Sequence, residues 1–347
     1  MPQTLDNPWR GTGLAVNAPA PLDDAAAVAR LLAQCPAHGT TPLHDADSLA
    51  RDTGVSHIWI KDERHRMGLG SFKALGAAHA IARQAAATGQ NDLRSTLQGK
   101  TFVTASAGNH GLSVAAGARI FGARAVIYIA ETVPEAFATR LASYGATVVR
   151  EGAQYEASMA AAQAAAATHG WALLSDSSWP GYTEPALRVM EGYLQLATEA
   201  AHQLPAPPTH ILLQAGVGGM AGAVAAHARR TWGDAPQIVV VEPDAAPALI
   251  ESIRAGAAVT TDGPVSAMGR LDCKTPSLIA LAGLSRDADS FVTLTEDEAR
   301  AGVDWLATHG YATTPSGGAG LAALHAGLDL GAQARVLTIL SEGPEDG

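Results

Sequence analysis

Short runs of aliphatic and β-branched residues alternate with alanine-rich amphipathic stretches along almost the whole chain. This alternation is typical of an α/β fold with mostly parallel sheets, because parallel strands need a crossover, usually helical, between them. The runs predict strands over 57–61, 101–106, 123–130, 146–152, 172–176, 210–215, 237–243, 290–295 and 335–341. The stretches predict helices over 72–88, 109–121, 134–144, 154–168, 184–203, 219–231, 245–255, 296–309 and 317–329.

The chain has 347 residues, more than the ~250–300 at which single hydrophobic cores stop growing, so we expect two lobes. No composition shift marks a boundary, and the lobes are therefore free to interleave along the chain. A hydrophobic content of 47% excludes intrinsic disorder. The net charge of −10 gives no general attraction for nucleic acid or anionic lipid.

The first residues, MPQTLDNPWR, lack a basic region followed by an apolar core, so we expect no signal peptide. Every apolar stretch is interrupted, by Arg, Asp or His, before it reaches ~18 residues, so we expect no membrane-spanning helix. The only cysteines, Cys35 and Cys273, lie far apart, which disfavours a zinc site or a disulfide scaffold. We expect a cytoplasmic protein.

The loop QAGVGGMAGAV, over 214–224, follows a predicted strand and precedes a helix of small residues. Backbone N–H groups at Gly216, Gly218 and Gly219, with the positive end of the helix, suit a phosphate. The spacing also fits the dinucleotide pattern GxGxxA, ending at Ala221, with Glu242 placed as a ribose-binding carboxylate. A tight turn without a ligand is the third interpretation.

Two further segments place reactive groups at predicted helix starts. In GLGSFKALG the helix dipole opposes the charge of Lys73, which predicts a lowered pKa and a nucleophilic amine; a solvated lysine is the alternative. In ASAGNHG, over 105–111, a turn with free N–H groups suits a carboxylate. Asn109 can donate to an oxyanion or cap the helix, and we expect His110 to be structural.

Four segments taken together resemble the fold type II pyridoxal-5′-phosphate enzymes, the tryptophan synthase β/threonine dehydratase superfamily. They occur in the expected order, from about Thr41 to Glu342, and are KDERHRMGLGSFKALGAAHA, ASAGNHG, QAGVGGMAG and LTILSEG. Within that superfamily, SDSSWPGYTEPALRVMEGY over 175–193 is similar to the diaminopropionate ammonia-lyases. The resemblance implies a homodimer with two interleaved lobes, each a mostly parallel twisted sheet flanked by helices. The large cofactor-binding domain would span 1–76 and 187–347, and the small substrate-side domain 77–186.

The resemblance also implies pyridoxal 5′-phosphate as cofactor and a role for each matching residue. Lys73 would form the Schiff base and Phe72 would pack behind the ring. Asn109 would bond the phenolic oxygen, and Ser341 would face the pyridine nitrogen. The phosphate would lie on Gly216, Val217, Gly218, Gly219 and Met220. The substrate carboxylate would be held by Ser106, Ala107 and Gly108.

The implied reaction is α,β-elimination on a small L-amino acid, first of all L-2,3-diaminopropionate, giving a 2-keto acid and ammonia. Asp176 matches a functional aspartate of the ammonia-lyases, where it would bind the β-ammonium or pass its proton; a helix-capping or turn aspartate is the alternative. Enzymes of this type that accept both enantiomers carry an acidic residue at position 107, and racemases of the fold carry serine. Ala107 therefore predicts turnover of L-substrates alone.

Three other functions are compatible with some of these features. An L-threonine/L-serine-type dehydratase shares the pattern ASAGNH and differs in its leaving group. An NAD-dependent oxidoreductase would use GxGxxA and Glu242, but leaves SFK and AGNHG unexplained. A non-catalytic carrier is disfavoured because Lys73, Asn109 and Ser341 are all present. The segment 268–277 departs from the family patterns, and its Asp272, Cys273 and Lys274 receive no role.

Overall fold

The computed structural model describes residues 2–90 and 92–344. Its strands are β1 Gln3–Asp6, β2 Leu43–Asp45, β3 His57–Asp62, β4 Thr101–Ala105, β5 Arg124–Ile129, β6 Thr147–Arg150, β7 Ala172–Leu173, β8 His210–Gln214, β9 Gln237–Pro243, β10 Ser290–Leu294 and β11 Arg335–Leu340. Its α-helices are α1 Ala25–Leu32, α2 Asp47–Thr53, α3 Lys73–Ala86, α4 Asn109–Ile120, α5 Glu135–Ser143, α6 Tyr155–His169, α7 Glu184–Gly192, α8 Leu194–Gln203, α9 Gly219–Trp232, α10 Ala248–Ala255, α11 Leu278–Asp287, α12 Glu296–Thr308 and α13 Ala319–His325.

The strands form two sheets. The larger has the order β1-β10-β9-β8-β11-β3-β2, in which β10, β9, β8, β11 and β3 are parallel and the two edge strands are antiparallel. The smaller, β6-β5-β4-β7, is parallel throughout. The predicted mixed α/β class with mostly parallel sheets is confirmed. Parallel strands bring their carboxyl ends to one edge, and ligands of such folds bind there.

All nine predicted strands are present, with local differences. The strand expected over 172–176 shortens to β7, because the chain turns where the Tyr182 hydroxyl accepts a hydrogen bond from the Ser175 N–H at 2.8 Å. The helix expected over 184–203 is interrupted at Tyr193, whose N–H bonds the Met190 carbonyl at 3.0 Å, three residues back instead of four. The sequence pattern did not predict strands β1 and β2 or helices α1, α2 and α11.

Helices α3 and α7 pack closely enough to fix the start of α3. A Cβ at Gly192 would lie 2.5 Å from the Leu75 carbonyl oxygen, and one at Gly76 would lie 2.7 Å from the Tyr193 ring. Only glycine permits this approach. The Tyr193 ring consequently sits beside the first turn of α3, where Lys73 lies.

A buried ionic cluster holds the chain between β3 and α3. Arg66 is fully buried and binds the carboxylates of both Glu63 and Glu199 at 2.7 Å. Lys61, also fully buried, lies 2.7 Å from Glu199. Because each charge has a partner, the cluster tolerates burial, whereas loss of one member would leave an uncompensated charge. The cluster thus holds in place the chain that leads into Lys73.

The helices within the described ranges are all too short or too polar to cross a membrane.

Candidate active site

Lys73 begins α3 and points its amine into a corner between the two sheets. The amine donates a hydrogen bond to the Asp176 carboxylate, which follows β7 of the smaller sheet. Its Nζ lies 5.2 Å from the centre of the Phe72 ring and 6.0 Å from that of Tyr193. The two rings meet edge to face at 4.9 Å. The structure therefore brings Lys73, Phe72 and Asp176 together, and their roles toward a cofactor and a substrate stay predictions.

The predicted lowering of the Lys73 pKa is wrong. Burial does act to lower it, but the charge of Asp176 and the hydrogen bond to it outweigh burial and raise the pKa of Lys73 above its ordinary value. The reverse holds for Asp176, where burial acts to raise the pKa and the charge of Lys73 brings it below the usual range. Lys73 and Asp176 therefore form an ammonium–carboxylate pair. The helix dipole is a smaller influence than this one contact.

The turn from β4 to α4 is organised by Ser106. Its hydroxyl oxygen accepts hydrogen bonds from the N–H groups of Gly108, at 3.2 Å, and Gly111, at 3.0 Å. The hydroxyl thus shapes the loop, and its contact with a substrate carboxylate stays a prediction. Ala107 is exposed at the tip of the turn. His110 is buried and directs Nε2 to the Leu174 carbonyl at 2.8 Å, as expected of a structural histidine.

Asn109 is the first residue of α4, but its side chain does not cap the helix; Gly108 holds the cap position. The amide of Asn109 instead donates to the carboxylate of Glu342, which also accepts from the Thr314 hydroxyl. Glu342 is 5% exposed and was missed by sequence reasoning. Its position two residues after β11, at the carboxyl edge of the sheet, was the available signal.

Ser341 precedes Glu342 and lies beside the start of α3. Its carbonyl accepts a hydrogen bond from the Phe72 N–H at 3.1 Å, and its own N–H bonds the Gly317 carbonyl at 3.2 Å. The residue is 5% exposed. A backbone hydrogen bond therefore connects the residue after β11 with the segment that carries Lys73.

The glycine loop forms a cradle at the amino terminus of α9. Gly218 has φ +93°, and a Cβ there would lie 2.9 Å from the Ala280 Cβ. A Cβ at Gly216 would lie 3.0 Å from the Cys273 sulfur. At Gly219 the distance to the Asp176 carbonyl oxygen would be 3.8 Å, so the cradle adjoins the lysine corner. Backbone N–H groups at a helix start, backed by tight packing, suit a phosphate group.

Glu242 has no access to this loop. Its side chain is fully buried, and its two oxygens accept from the N–H groups of Leu249 and Ile250, each at 2.8 Å. Burial raises the pKa of Glu242 to about 8. The ribose-binding role considered for this residue is therefore wrong, because its carboxyl group caps α10 inside the protein.

The long segment 256–277 lies over the cradle without regular secondary structure. Lys274 binds the carbonyls of Ala245, at 2.7 Å, and Pro264, at 2.8 Å, and the Asp272 carboxylate at 2.6 Å. These three contacts of Lys274 hold the segment 256–277 in place. Burial raises the pKa of Cys273 to about 12, so its thiol stays protonated. No group of three or more His, Cys, Asp or Glu side chains in the described ranges could hold a metal ion.

The arrangement fits pyridoxal phosphate. Gly216 and Gly218 form a phosphate cradle that side chains would obstruct, and the Lys73 amine lies in the adjoining corner beside an aromatic ring. The turn 106–109 and Ser341 border the same region. A dinucleotide would find no carboxylate for its ribose at this loop, because that of Glu242 is buried elsewhere.

Comparisons with known proteins agree with this geometry. Residues 35–342 match the family described as pyridoxal-phosphate dependent enzyme. The chain is 34% identical over 284 residues to diaminopropionate ammonia-lyase of Salmonella typhimurium, covering 74% of this chain and 69% of the relative. It is 29% identical to human L-serine dehydratase/L-threonine deaminase, over 84% of this chain and 83% of the relative.

A crystal structure of Escherichia coli diaminopropionate ammonia-lyase, in complex with an aminoacrylate–pyridoxal phosphate azomethine reaction intermediate, superposes with a TM-score of 0.88. It shares 31% identity, and the match covers 100% of this chain and 94% of the other. The chain therefore belongs to the family of pyridoxal-phosphate dependent enzymes, whose cofactor the glycine cradle and Lys73 fit.

Proposed function

We propose that this enzyme is an ammonia-lyase that removes the β-amino group of L-2,3-diaminopropionate, giving a 2-keto acid and ammonia. The observation that carries the proposal is the contact between Lys73 and Asp176 beside the glycine cradle. This contact supports the proposal because a carboxylate lies next to the amine that would bind the cofactor, and a substrate's second ammonium group would be attracted there. The similarity to two diaminopropionate ammonia-lyases supports this substrate.

Each residue of the site has a task in this reaction. Pyridoxal phosphate, when bound, supplies an electron sink for cleavage at the substrate's Cα. In its neutral form the amine of Lys73 takes the proton from Cα, and the Asp176 carboxylate, which pairs with the Lys73 ammonium in this structure, attracts the β-ammonium and keeps a proton at the β-nitrogen. That proton is essential because an amide anion is an impossibly poor leaving group in water. Asn109 and Ser341 would hold the cofactor ring.

Selectivity for L-substrates follows from the turn after β4. Ala107 is exposed in that turn, and its methyl group could not remove a proton on the face of a substrate opposite Lys73. Position 107 therefore offers no base that could take the Cα proton of a D-amino acid. The same residue is compatible with a second candidate, an L-threonine/L-serine-type dehydratase, in which oxygen leaves in place of nitrogen.

We further propose a cytoplasmic homodimer acting on a small amino acid, with a large domain of 1–76 and 187–347 and a small domain of 77–186. The net charge of −10 supports the absence of nucleic-acid and membrane partners. The two separate sheets support the division into domains.

Replacing Asp176 by Asn tests both residue and substrate. We expect turnover of L-2,3-diaminopropionate to fall by about 10²–10⁴, the usual worth of a general acid–base group. Cofactor binding, followed by visible absorption, should remain. The measurement compares L-2,3-diaminopropionate, L-serine and L-threonine, because the loss should be confined to the diamine.

Asp297→Asn provides the matched control, because the same change is made at a side chain that is 97% exposed. It should leave all three activities unaltered. Wild-type diamine kinetics in Asp176→Asn would remove Asp176 from the reaction. Faster wild-type turnover of L-serine or L-threonine than of the diamine would favour the dehydratase.

A further inference from the structure

The ring of Tyr193 is held between the two helices that border the lysine corner. A Cβ at Gly76 of α3 would lie 2.7 Å from its Cε1 and 2.9 Å from its Cζ. On the other side, a Cβ at Gly219, the first residue of α9, would lie 3.6 Å from its Cε2. The Phe72 ring meets it edge to face. These contacts hold the ring, which is 1% exposed, in one orientation.

The hydroxyl of Tyr193 is buried and has no hydrogen-bond partner in the described part of the chain. A buried hydroxyl without a partner costs about 1–3 kcal/mol, and a phenylalanine would avoid that cost. Burial raises the pKa of Tyr193 above its usual range, so the hydroxyl keeps its proton. The tyrosine therefore carries a polar atom whose partner is absent from the resting protein.

The Lys73 amine and the Asp176 carboxylate are the charged groups that act on this hydroxyl. The Lys73 Nζ lies 6.0 Å from the centre of the Tyr193 ring, and it donates its hydrogen bond to Asp176. The carboxylate binds the ammonium in preference to the phenol because a charged acceptor makes the stronger hydrogen bond. The lysine amine thus lies beside two side-chain oxygens, of which it uses the charged one.

A diamine substrate would change this balance. Its β-ammonium would be attracted to the Asp176 carboxylate, which then faces two cations. The second positive charge disfavours the charged form of Lys73 and lowers its pKa. A neutral amine has two N–H donors and one lone pair, and the lone pair must stay free for the Cα proton. Tyr193 is then the side-chain oxygen that can accept from one of the N–H groups.

We propose that the Tyr193 hydroxyl accepts a hydrogen bond from the Lys73 amine when Asp176 binds the substrate, and so positions the amine for proton removal. The inference rests on the proposed function for the second ammonium group of the substrate. Tyr193 is a positioning residue, because it acts through Lys73. It stays a neutral acceptor before the Cα proton moves to Nζ and afterwards, when Nζ is again an ammonium. No bond to a Tyr193 atom forms or breaks.

The apoprotein tests this contact without cofactor or turnover. Labelling of Lys73 by acetic anhydride is followed against pH in wild type, Tyr193→Phe, Asp176→Ala and the double variant. With Asp176 present, removal of the hydroxyl should leave the Lys73 profile unchanged. In the Asp176→Ala background the hydroxyl holds the ammonium, so its removal should lower the Lys73 pKa by about one unit and raise labelling at pH ~8 about tenfold.

Turnover tests the consequence. In Tyr193→Phe we expect kcat for L-2,3-diaminopropionate to fall by about 10–100-fold, the worth of a hydrogen bond to a charged group, while KM and pyridoxal phosphate affinity stay unchanged. Exchange of the Cα hydrogen of L-alanine with solvent deuterium, followed by NMR, should slow much less, because alanine leaves Asp176 with Lys73. Stability in urea should not decrease, since the hydroxyl has no hydrogen bond to lose in the resting protein as described.

Tyr144→Phe is the control, since it makes the same change at a ring that packs on the core from the carboxyl end of α5. It should match wild type in every measurement. The proposal is wrong if the double variant and Asp176→Ala share one Lys73 profile, or if the diamine and L-alanine reactions of Tyr193→Phe slow equally. Wild-type diamine turnover in Tyr193→Phe would also overturn it. Weakened pyridoxal phosphate affinity of the Tyr193→Phe apoprotein would assign the hydroxyl to the cofactor instead.

Failure of the proposed function appears separately, as absence of ammonia release from L-2,3-diaminopropionate by wild type. The Lys73 profiles of the apoproteins do not depend on turnover and keep their meaning in that case.

Discussion

At the scale of the residue, the two charges of the lysine corner determine each other's protonation. Asp176 is 103 positions from Lys73, so no rule of local sequence could predict that its carboxylate would outweigh the field of α3. The raised pKa keeps the Lys73 amine protonated to a higher pH than an ordinary lysine. Chemical reactivity of this amine in the apoprotein should therefore be low and should depend on Asp176.

Labelling of the apoprotein with acetic anhydride measures this dependence. The four lysines are Lys61, Lys73, Lys100 and Lys274, which peptide mapping can separate. In wild type, the rate at which Lys73 is labelled should rise about tenfold per pH unit and reach no plateau by pH ~10. In Asp176→Asn the Lys73 pKa falls, so we expect at least tenfold more labelling at pH ~8.

The pH profile separates ionisation from access, because better access alone would raise labelling without moving the plateau. Asp297→Asn should reproduce the wild-type profile. Identical Lys73 profiles in wild type and Asp176→Asn would show that the ion pair does not control the amine.

At the scale of the element, α9 has glycines of positive φ at both ends, and these form a natural pair of experiments. Gly218 has φ +93° and is tightly packed, whereas Gly233 has φ +59° and a Cβ there would meet nothing within 4 Å. Alanine at either position costs about 1–3 kcal/mol of stability for its backbone conformation. Only Gly218→Ala also displaces the cradle, by contact with Ala280.

We therefore expect Gly218→Ala to weaken pyridoxal phosphate binding by at least about tenfold and Gly233→Ala to leave it unchanged. Fluorescence titration of the apoproteins gives the affinities, and urea unfolding gives the stabilities. Comparable affinities in the two variants would show that the cradle does not bind the phosphate.

The elements that sequence predicted are those whose evidence is local. The parallel strands are short apolar runs between amphipathic helices, and periodicity suffices to find them. Strands β1 and β2 lie antiparallel at the sheet edges. They therefore lack the neighbouring crossover helix that marks a parallel strand in the sequence. The interruption of the helix at Tyr193 depends on packing against α3, which the local sequence does not contain.

The same division applies to the site. Lys73, Asn109 and the glycine loop stand in recognisable segments, and the structure brings these segments together. Glu342 was missed because its partner, Asn109, is distant in sequence. A side chain that acts across the fold is visible only once the fold is known.

At the scale of the whole molecule, Glu242 should make stability depend on pH. Its pKa is about 8 in the folded protein, against 4.5 for an ordinary glutamate. Between these values the folded state holds a proton that the unfolded chain releases. The free energy of unfolding should therefore decrease as pH rises from about 5 to 8, by up to ~1.4 kcal/mol per pH unit from this group.

Glu242→Gln should flatten this part of the profile, measured by urea unfolding at several pH values. Loss of one backbone hydrogen bond costs about 1 kcal/mol at every pH. Glu135→Gln, at a side chain that is 79% exposed, should keep the wild-type slope. An equally steep decrease in Glu242→Gln would assign the slope to other groups.

The position of β11 in the larger sheet has a consequence for synthesis. This strand pairs with β3 on one side and β8 on the other, although β3 leaves the ribosome long before it. Translation at roughly 5–20 residues per second leaves one edge of β3 unpaired for tens of seconds. The contacts of Phe72 with Ser341 and of Asn109 with Glu342 must wait equally long. Nascent chains thus carry an edge of unpaired backbone N–H and C=O groups, which favours misassembly until β11 pairs with it.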